Sequence, residues 1–423
     1  MPQRSRVGSH PPSVFSASLL AALFAVAACD QPIPTATAPH PPPSADGTGF
    51  PGLSASTMLG DPFANLTAAE LALFNAGKVE FEAVETIADG LGPVFNEASC
   101  ATCHNGPVGG TTGRKETRFG RIINGGFDPM PDFGGSLIQD HGIGVVATAT
   151  GSFIFTGEVV PPEATVTAQR ITTPLFGLGL VDAVPDEELI RLARFETVTS
   201  PGTAGTPSRT TEIRTGLTRV GRFGWKAQVP TLHQFSGDAY LNEMGITNPE
   251  FPTENCPQGN CLALAFNPFP KLNDDGTGVT EFTDFMTLLA PPPRGKLSLQ
   301  VLVGSGIFAT IGCANCHTPA LVTGNSPVPA LSRKVFQPFS DFLLHDMGSL
   351  GDGIVQGAAT GRQMRTAPLW GVRTRSQLLH DGRATSLDGA IRAHDGQGQR
   401  ARERFLRLSA GERFALFQFL QSL

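Results

Sequence analysis

Tyrosine and tryptophan are nearly missing from this 423-residue chain: one Tyr and two Trp stand against 29 Phe, a bias without an evident physical reason. Missing too is an apolar run long enough to span a bilayer. The stretch Ser16 to Ala28 falls short of the roughly 20 residues that a spanning helix needs, which excludes a polytopic membrane protein. No basic stripe is present, and the formal charge is −6, so a nucleic-acid partner is excluded for want of groups to neutralise phosphates. No cysteine is left over either, because all seven can be assigned. What is present is a globular composition, 40% hydrophobic, with 49 Gly and 35 Pro that call for many turns between short elements.

The first 57 residues read as targeting rather than structure. Arg4 and Arg6 precede the apolar stretch, which ends in Val26-Ala27-Ala28-Cys29, a lipobox-like sequence. The expectation is a lipoprotein-type signal peptide over residues 1–28 and a diacylated Cys29, two chains being enough for stable anchoring. The competing reading is an ordinary cleaved signal with an incidental Cys29. Loss of residues 1–28 would move the formal charge from −6 to −8. Residues 29–57, with seven prolines between Pro32 and Pro51, read as an extended tether on the periplasmic side of a bacterial cell envelope.

Four cysteines fall in two C-x-x-C-H motifs, Cys100-Cys103-His104 and Cys313-Cys316-His317. This is the covalent haem attachment pattern. Both thiols add to haem vinyl groups, and the adjoining imidazole takes the iron as proximal ligand. A zinc site would pair two C-x-x-C units around one ion, and a redox dithiol would want a βαβ setting that is not apparent. Two copies in an exported chain therefore point to two covalently bound haem c groups. Cys256 and Cys261 close a short turn-rich loop and are expected to form a structural disulfide, with a redox-active pair as the alternative.

Two haem domains are expected, residues 58–290 and residues 291–423. Thr67-x-x-Glu70 opens a helix through Phe74 and Phe81, Ser298 caps one through Val301, Leu302, Ile307 and Phe308, and Ser409-x-x-Glu412 opens the last. A weak repeat supports duplication. Arg170-Ile-Thr-Thr-Pro-Leu-Phe-Gly-Leu is similar to Arg365-Thr-Ala-Pro-Leu-Trp-Gly-Val, and each precedes a helix, capped by Asp186 in one case and started by Thr385 with Asp388 in the other. Strand character is thin outside Gly142 to Thr156. The fold class is mostly α with minor β: two loop-rich, cytochrome c-like haem domains facing each other.

The sixth iron ligand decides between electron transfer and ligand chemistry. Setting aside His10 and His40 in the leader and the two proximal residues leaves His141, His233, His345, His380 and His394. His394 ends a helix from Leu387 and suits an axial ligand; the alternative is a solvated cation at a helix C-terminus. Met244, in Glu243-Met244-Gly245, stands roughly where His394 does in the second half. Trp225 and Trp370 are candidates for an electron relay or plain aromatic core. Arg365 and Arg383 are candidates for the haem propionates or plain surface. His345 and His380 read as hydrogen-bonded structural residues.

Leu379-His-Asp-Gly-Arg-Ala384, with Arg365 to Val372 before it and Ala390, Ile391 and His394 after it, resembles the di-haem oxidoreductase family. That family is related to bacterial di-haem cytochrome c peroxidases and to the MauG-type enzyme. Phe95-Asn96, Pro174 to Leu180, Gly221 to Ala227 and His345-Asp-Met-Gly348 match as well, and the resemblance covers roughly residues 58–423. It implies haems facing across an interface and a second axial ligand for the C-terminal haem at the position of His394. That haem would then be bis-His, with a lower potential than a His/Met pair gives. It also implies a distal histidine in the loop after the first motif, where His141 stands, with His233 and Met244 as rivals and an open site equally compatible.

The expected function is a peroxidase-like oxidoreductase, one haem for electron transfer and the other for substrate reduction. The runner-up is an electron-transfer cytochrome without turnover, followed by a thiol oxidoreductase using free C-x-x-C dithiols. The expected partners are a redox protein or quinone-linked donor, a small-molecule oxidant, and a membrane held through the lipid. No residue pattern specifies substrate or calcium.

Overall fold

The computed structural model describes residues 58–149 and 151–423; the signal peptide, Cys29 and the tether lie outside the described residues. Helix α1 (Ala68–Glu82) starts where the sequence places it. Thr67 Oγ1 accepts from the Glu70 amide at 3.2 Å, and Glu70 returns the bond to the Thr67 amide at 2.7 Å. Phe74, Gly77 and Phe81 form its buried stripe. The chain then enters the first C-x-x-C-H motif as a single turn, α2 (Cys100–Cys103).

A β-rich stretch follows. β1 (Lys115–Ile123) turns back into β2 (Gly126–Asp128), and β3 (Gly144–Thr148) pairs with β4 (Gly151–Phe155) in a hairpin where the sequence suggested strand. β5 (Val166–Ile171) then pairs antiparallel with the free edge of β1, giving the order β2-β1-β5 with Lys115 opposite Ile171 and Arg121 opposite Asp128. About 36% of the described residues are helix and 16% strand, so helix dominates among them, with more strand than the sequence suggested. Among the missed strands β1 is the longest. Lys115, Glu116, Arg118 and Arg121 give it a charged texture instead of apolar alternation.

Helix resumes with α3 (Leu178–Asp182), α4 (Asp186–Thr199), α5 (Leu232–Met244) and α6 (Thr277–Leu288). Asp186 does not cap α4. Pro185 holds the cap position, and the Asp186 carboxylate is taken by Arg219, Arg222 and the Val220 amide. α6 crosses α1 at Gly77, where an added Cβ would stand 2.2 Å from the Glu281 carbonyl oxygen.

The second half repeats the device. α7 (Leu299–Ile311), capped by Ser298, leads through Gly312 into the second motif, and α8 (Leu387–Ala393), α9 (Gln399–Leu406) and α10 (Ala410–Gln421) follow. Ser386, one residue later than expected, caps α8 by accepting from the Gly389 amide at 3.1 Å. α7 crosses α10 at Gly304, whose added Cβ would meet the Ala415 carbonyl oxygen at 2.0 Å.

The described residues form one compact unit containing two large buried clusters. The second gathers Phe308, Phe339 and Phe419 with ring centroids 5.2–6.1 Å apart. The first surrounds Phe74, Phe81 and Phe285 but also takes in Leu321, Leu331, Phe336, Phe342, Leu343 and Trp370 from far down the chain. Cys256 and Cys261 are joined as a disulfide. Among the described residues no helix is long and apolar enough to cross a membrane.

Candidate functional site

Each C-x-x-C-H motif opens onto its own cavity. Counted out to their mouths and including the solvent there, the two hold about 1270 Å³ and 1530 Å³ of non-atom space. None of the four motif cysteines is in a disulfide. Burial pushes the Cys100, Cys103 and Cys313 thiols up to about 12, the reverse of what a redox dithiol requires.

In the first cavity the turn of α2 presents His104, whose amide donates to the Cys100 carbonyl at 3.0 Å. Burial pushes its imidazole down to about 4 and keeps it neutral, as a metal ligand must be. Phe81, Tyr240, Met244, Phe282 and Met286 give the cavity an apolar lining. The polar lining comes from β1, β5 and α5: Glu116, Arg118, Arg170, Asp238 and Glu243. Arg118 grips Glu116 through Nε and a terminal nitrogen, both at 3.0 Å. Burial would raise the Glu116 carboxyl, but Arg118 and then Arg170 outweigh it and hold the group below the ordinary carboxylate range. Arg170 is itself anchored on Asp352 at 2.8 Å, and Asp352 also holds Lys226 at 2.8 Å. Burial lifts Asp238 to about 6 and Glu243 to about 7.

In the second cavity two histidines face the same space. His317 Nδ1 donates to the Phe339 carbonyl at 3.0 Å, and His394 Nδ1 donates to the Ala390 carbonyl at 2.8 Å. Each bond fixes the tautomer that leaves Nε2 free as a ligand atom. Burial pushes His317 down to about 4 and lowers His394 too. The ring centroids are 6.4 Å apart. A metal bonding both imidazoles at about 2.0 Å would set them just over ~6 Å apart, so the pair fits one iron.

The same cavity is lined by Arg365 and Arg375. Arg365 donates to the Gly224 carbonyl at 2.7 Å, and Arg375 to the Pro368 and Trp370 carbonyls at 3.2 Å. Among the described residues no carboxylate lies within ion-pair distance of either, and burial depresses both to about 10. Two desolvated cations side by side call for an anion, and the carboxylates of a haem would supply it. Arg383 is instead bound to Asp381 at the surface and lines neither cavity. His345 is held by Asp341 at 2.8 Å through Nε2 and points Nδ1 at Cys316 Sγ, 3.4 Å away.

Ile171, Thr172 and Trp225 line both cavities and so form the wall between them. Trp225 Nε1 donates to the Ile171 carbonyl at 2.9 Å, and its ring meets His380 at 6.2 Å. Trp370 packs 5.9 Å from Phe336 in the first core and lines neither cavity. Nor do His141, exposed opposite Phe95, and His233, 3.4 Å from Glu250. Of the rivals for the first iron, only Met244 reaches the first cavity. Glu116, Arg118 and Asp238 were missed by sequence reasoning. Glu116 and Arg118 lie on an unrecognised strand, and Asp238 lies on helix α5, where nothing in the local sequence marks it.

The sequence profile of the family described as "di-haem oxidoreductase, putative peroxidase" matches residues 162–423. No curated protein matches the chain. Among solved structures the chain is similar to Kuenenia stuttgartiensis hydrazine synthase, at 15% identity over 86% of this chain and 93% of that one, with a TM-score of 0.37. It is also similar to a MauG-like protein associated with microbial copper homeostasis, at 14% identity over 87% and 94%, TM-score 0.37. A third is the diheme peroxidase BthA from Burkholderia thailandensis, at 15% identity over 89% and 91%, TM-score 0.39.

Proposed function

Since the chain belongs to the di-haem oxidoreductase family, we propose that it is a peroxidase-like enzyme of the cell envelope, anchored through Cys29. One haem would be attached at Cys100 and Cys103 with His104 as ligand, and the other at Cys313 and Cys316 with His317 and His394. The second would transfer electrons and the first would reduce a small oxidant such as a peroxide.

The observation that carries this reading is the asymmetry of the cavities. The second holds two histidines at iron-spanning distance, whereas the first holds His104 alone among histidines, together with a half-buried acid–base group. When bound, the haems supply the electrons and the Lewis acidity that O–O cleavage needs. The chain supplies the proton handling. Glu116, kept ionised by Arg118, takes a proton from the entering peroxide on a carboxylate oxygen. Asp238 holds a proton up to about pH 6 and gives it to the departing oxygen. Glu116 then returns its proton, and two electrons from the donor with two protons from solvent, which restore Asp238 and complete the second water, convert the peroxide to two waters. Arg118 fixes the Glu116 carboxylate in a forked grip. Trp225, in the shared wall, carries electrons from one site to the other.

Spectroscopy of the purified holoprotein tests the reading. One high-spin and one low-spin haem are expected, with peroxide and, after reduction, carbon monoxide perturbing the high-spin one only. Two unresponsive low-spin haems would instead support the electron-carrier reading. Glu116→Gln is expected to lower peroxide turnover by roughly 10²-fold or more with haem content unchanged; unaltered turnover would remove Glu116 from the scheme. Asp238 faces Glu116, Arg118, Glu243 and Asn242, and turnover is expected to fall as pH rises through about 6, a limb that Asp238→Asn abolishes.

A further inference from the structure

We propose that the arginine-rich surface of α9 and its neighbours, at the wall of the second cavity, docks an anionic one-electron donor protein. The proposal rests on the reading of that cavity as a haem site. Residues 365–423 contain ten arginines, no lysine and five carboxylates, a formal charge of +5, while residues 1–364 carry −11. The cationic part of an acidic chain is thus concentrated in the segment that builds the second cavity.

Helix α9 is the centre of this region. Ala401 and Arg402 line the cavity, and the same two turns expose Arg400, Arg404 and Arg407. Among the described residues none of these three forms an ion pair with a carboxylate. Arg404 reaches the Thr310 and Ile311 carbonyls at 3.5 Å, at the end of α7 just before Cys313, so the cationic helix covers the attachment turn. Leu302, Val303, Leu406 and Phe414 remain exposed on α7, on α9 and on α10, which pack together. Arginine beside exposed aliphatic and aromatic side chains is the composition of a protein-docking surface, and its charge selects an acidic partner. The step is a single electron transfer: the donor is oxidised by one electron, the haem iron at the second cavity is reduced by one, and no bond forms or breaks. The rest of the chain, being acidic, repels such a partner and leaves this face as the favoured entry.

The test uses the full-length holoprotein, reduced, and follows oxidation of its low-spin haem by hexacyanoferrate(III), an anion, and by tris(phenanthroline)cobalt(III), a cation. The expected result is a hexacyanoferrate rate that falls as salt is raised. Arg400→Glu with Arg407→Glu should lower that rate roughly tenfold at low salt and raise the cobalt rate. A hexacyanoferrate rate that rises with salt, as the net charge of −6 alone would dictate, overturns the proposal. So do charge reversals that leave both rates unchanged. Cosedimentation with phosphatidylglycerol vesicles, lost in the double variant while the reagent rates stay the same, would reassign the patch to a lipid surface and also overturn it. A protein with only the first haem loaded would overturn the reading of the cavity itself, an outcome recognised by the missing porphyrin mass on the peptide containing Cys313 and Cys316.

Discussion

Glu196 shows what burial does to a single group in this protein. It is 4% exposed on α4, and Oε2 accepts the Gly205 amide at 2.9 Å while Oε1 has no partner. Burial, then the nearby Asp341 carboxylate, raises its carboxyl to about 7, with His345 pulling the other way. The folded state therefore holds a proton that the unfolded chain releases near its ordinary value of 4.5. The stability this provides is full below about pH 4.5 and lost as pH rises through about 7. Glu196→Gln is expected to leave thermal stability nearly unchanged at pH 4 and to raise it at pH 8 by on the order of 3 kcal/mol, read as a midpoint several degrees higher. An equal effect at pH 4 and pH 8 would contradict the assignment. Legibility at this scale follows the chemistry. Two thioethers and an axial imidazole must come from adjacent residues, so Cys100, Cys103 and His104 can be read from spacing alone. Glu116 and Asp238 lie more than a hundred residues apart in the chain and meet only through β1 and α5, so no local pattern betrays them.

At the level of elements, the two halves use the same joint. A helix leading toward the motif crosses a later helix at a glycine, α1 on α6 at Gly77 and α7 on α10 at Gly304. In both cases the clash awaiting a Cβ is with backbone, which cannot turn aside. Gly77→Ala and Gly304→Ala are each expected to destabilise the protein by about 1–3 kcal/mol, through overpacking, as measured by chemical denaturation of the holoprotein. An exposed control, Gly306→Ala, should cost nothing, since no atom lies within 4 Å of its would-be Cβ. The caps of α1, α7 and α10 were legible because a Ser or Thr at the cap position binds the amide three residues on, in α1 and α10 with a Glu answering it. Asp186 misled because Arg219 and Arg222, far along the chain, compete for its carboxylate. β1 was illegible because its side chains serve a cavity as well as a core, and function overrides the alternation that marks a strand.

At the scale of the whole molecule, Trp225 joins the two sites. Its indole belongs to both cavity linings, and its N–H is tied to Ile171, which lies in the same wall. Trp225→Phe is expected to slow electron exchange between the haems, observed after flash reduction, while the spectra of both stay unchanged. Undiminished exchange would leave the indole a packing residue only. The sequence named both tryptophans without separating them, because only the tertiary arrangement puts one in the wall and the other in the core.

The first buried cluster takes side chains from Phe63 at one extreme to Trp370 at the other. A fragment ending before Leu321 therefore lacks the wedge of Leu321, Leu331, Phe336 and Phe342 that completes its interior. Under the proposed function, a first half still lacking that wedge would leave its motif thiols within reach of whatever attaches a haem. Were both motifs to take covalent haems as proposed, the first core would close only after the second motif, at Cys313, had also been made.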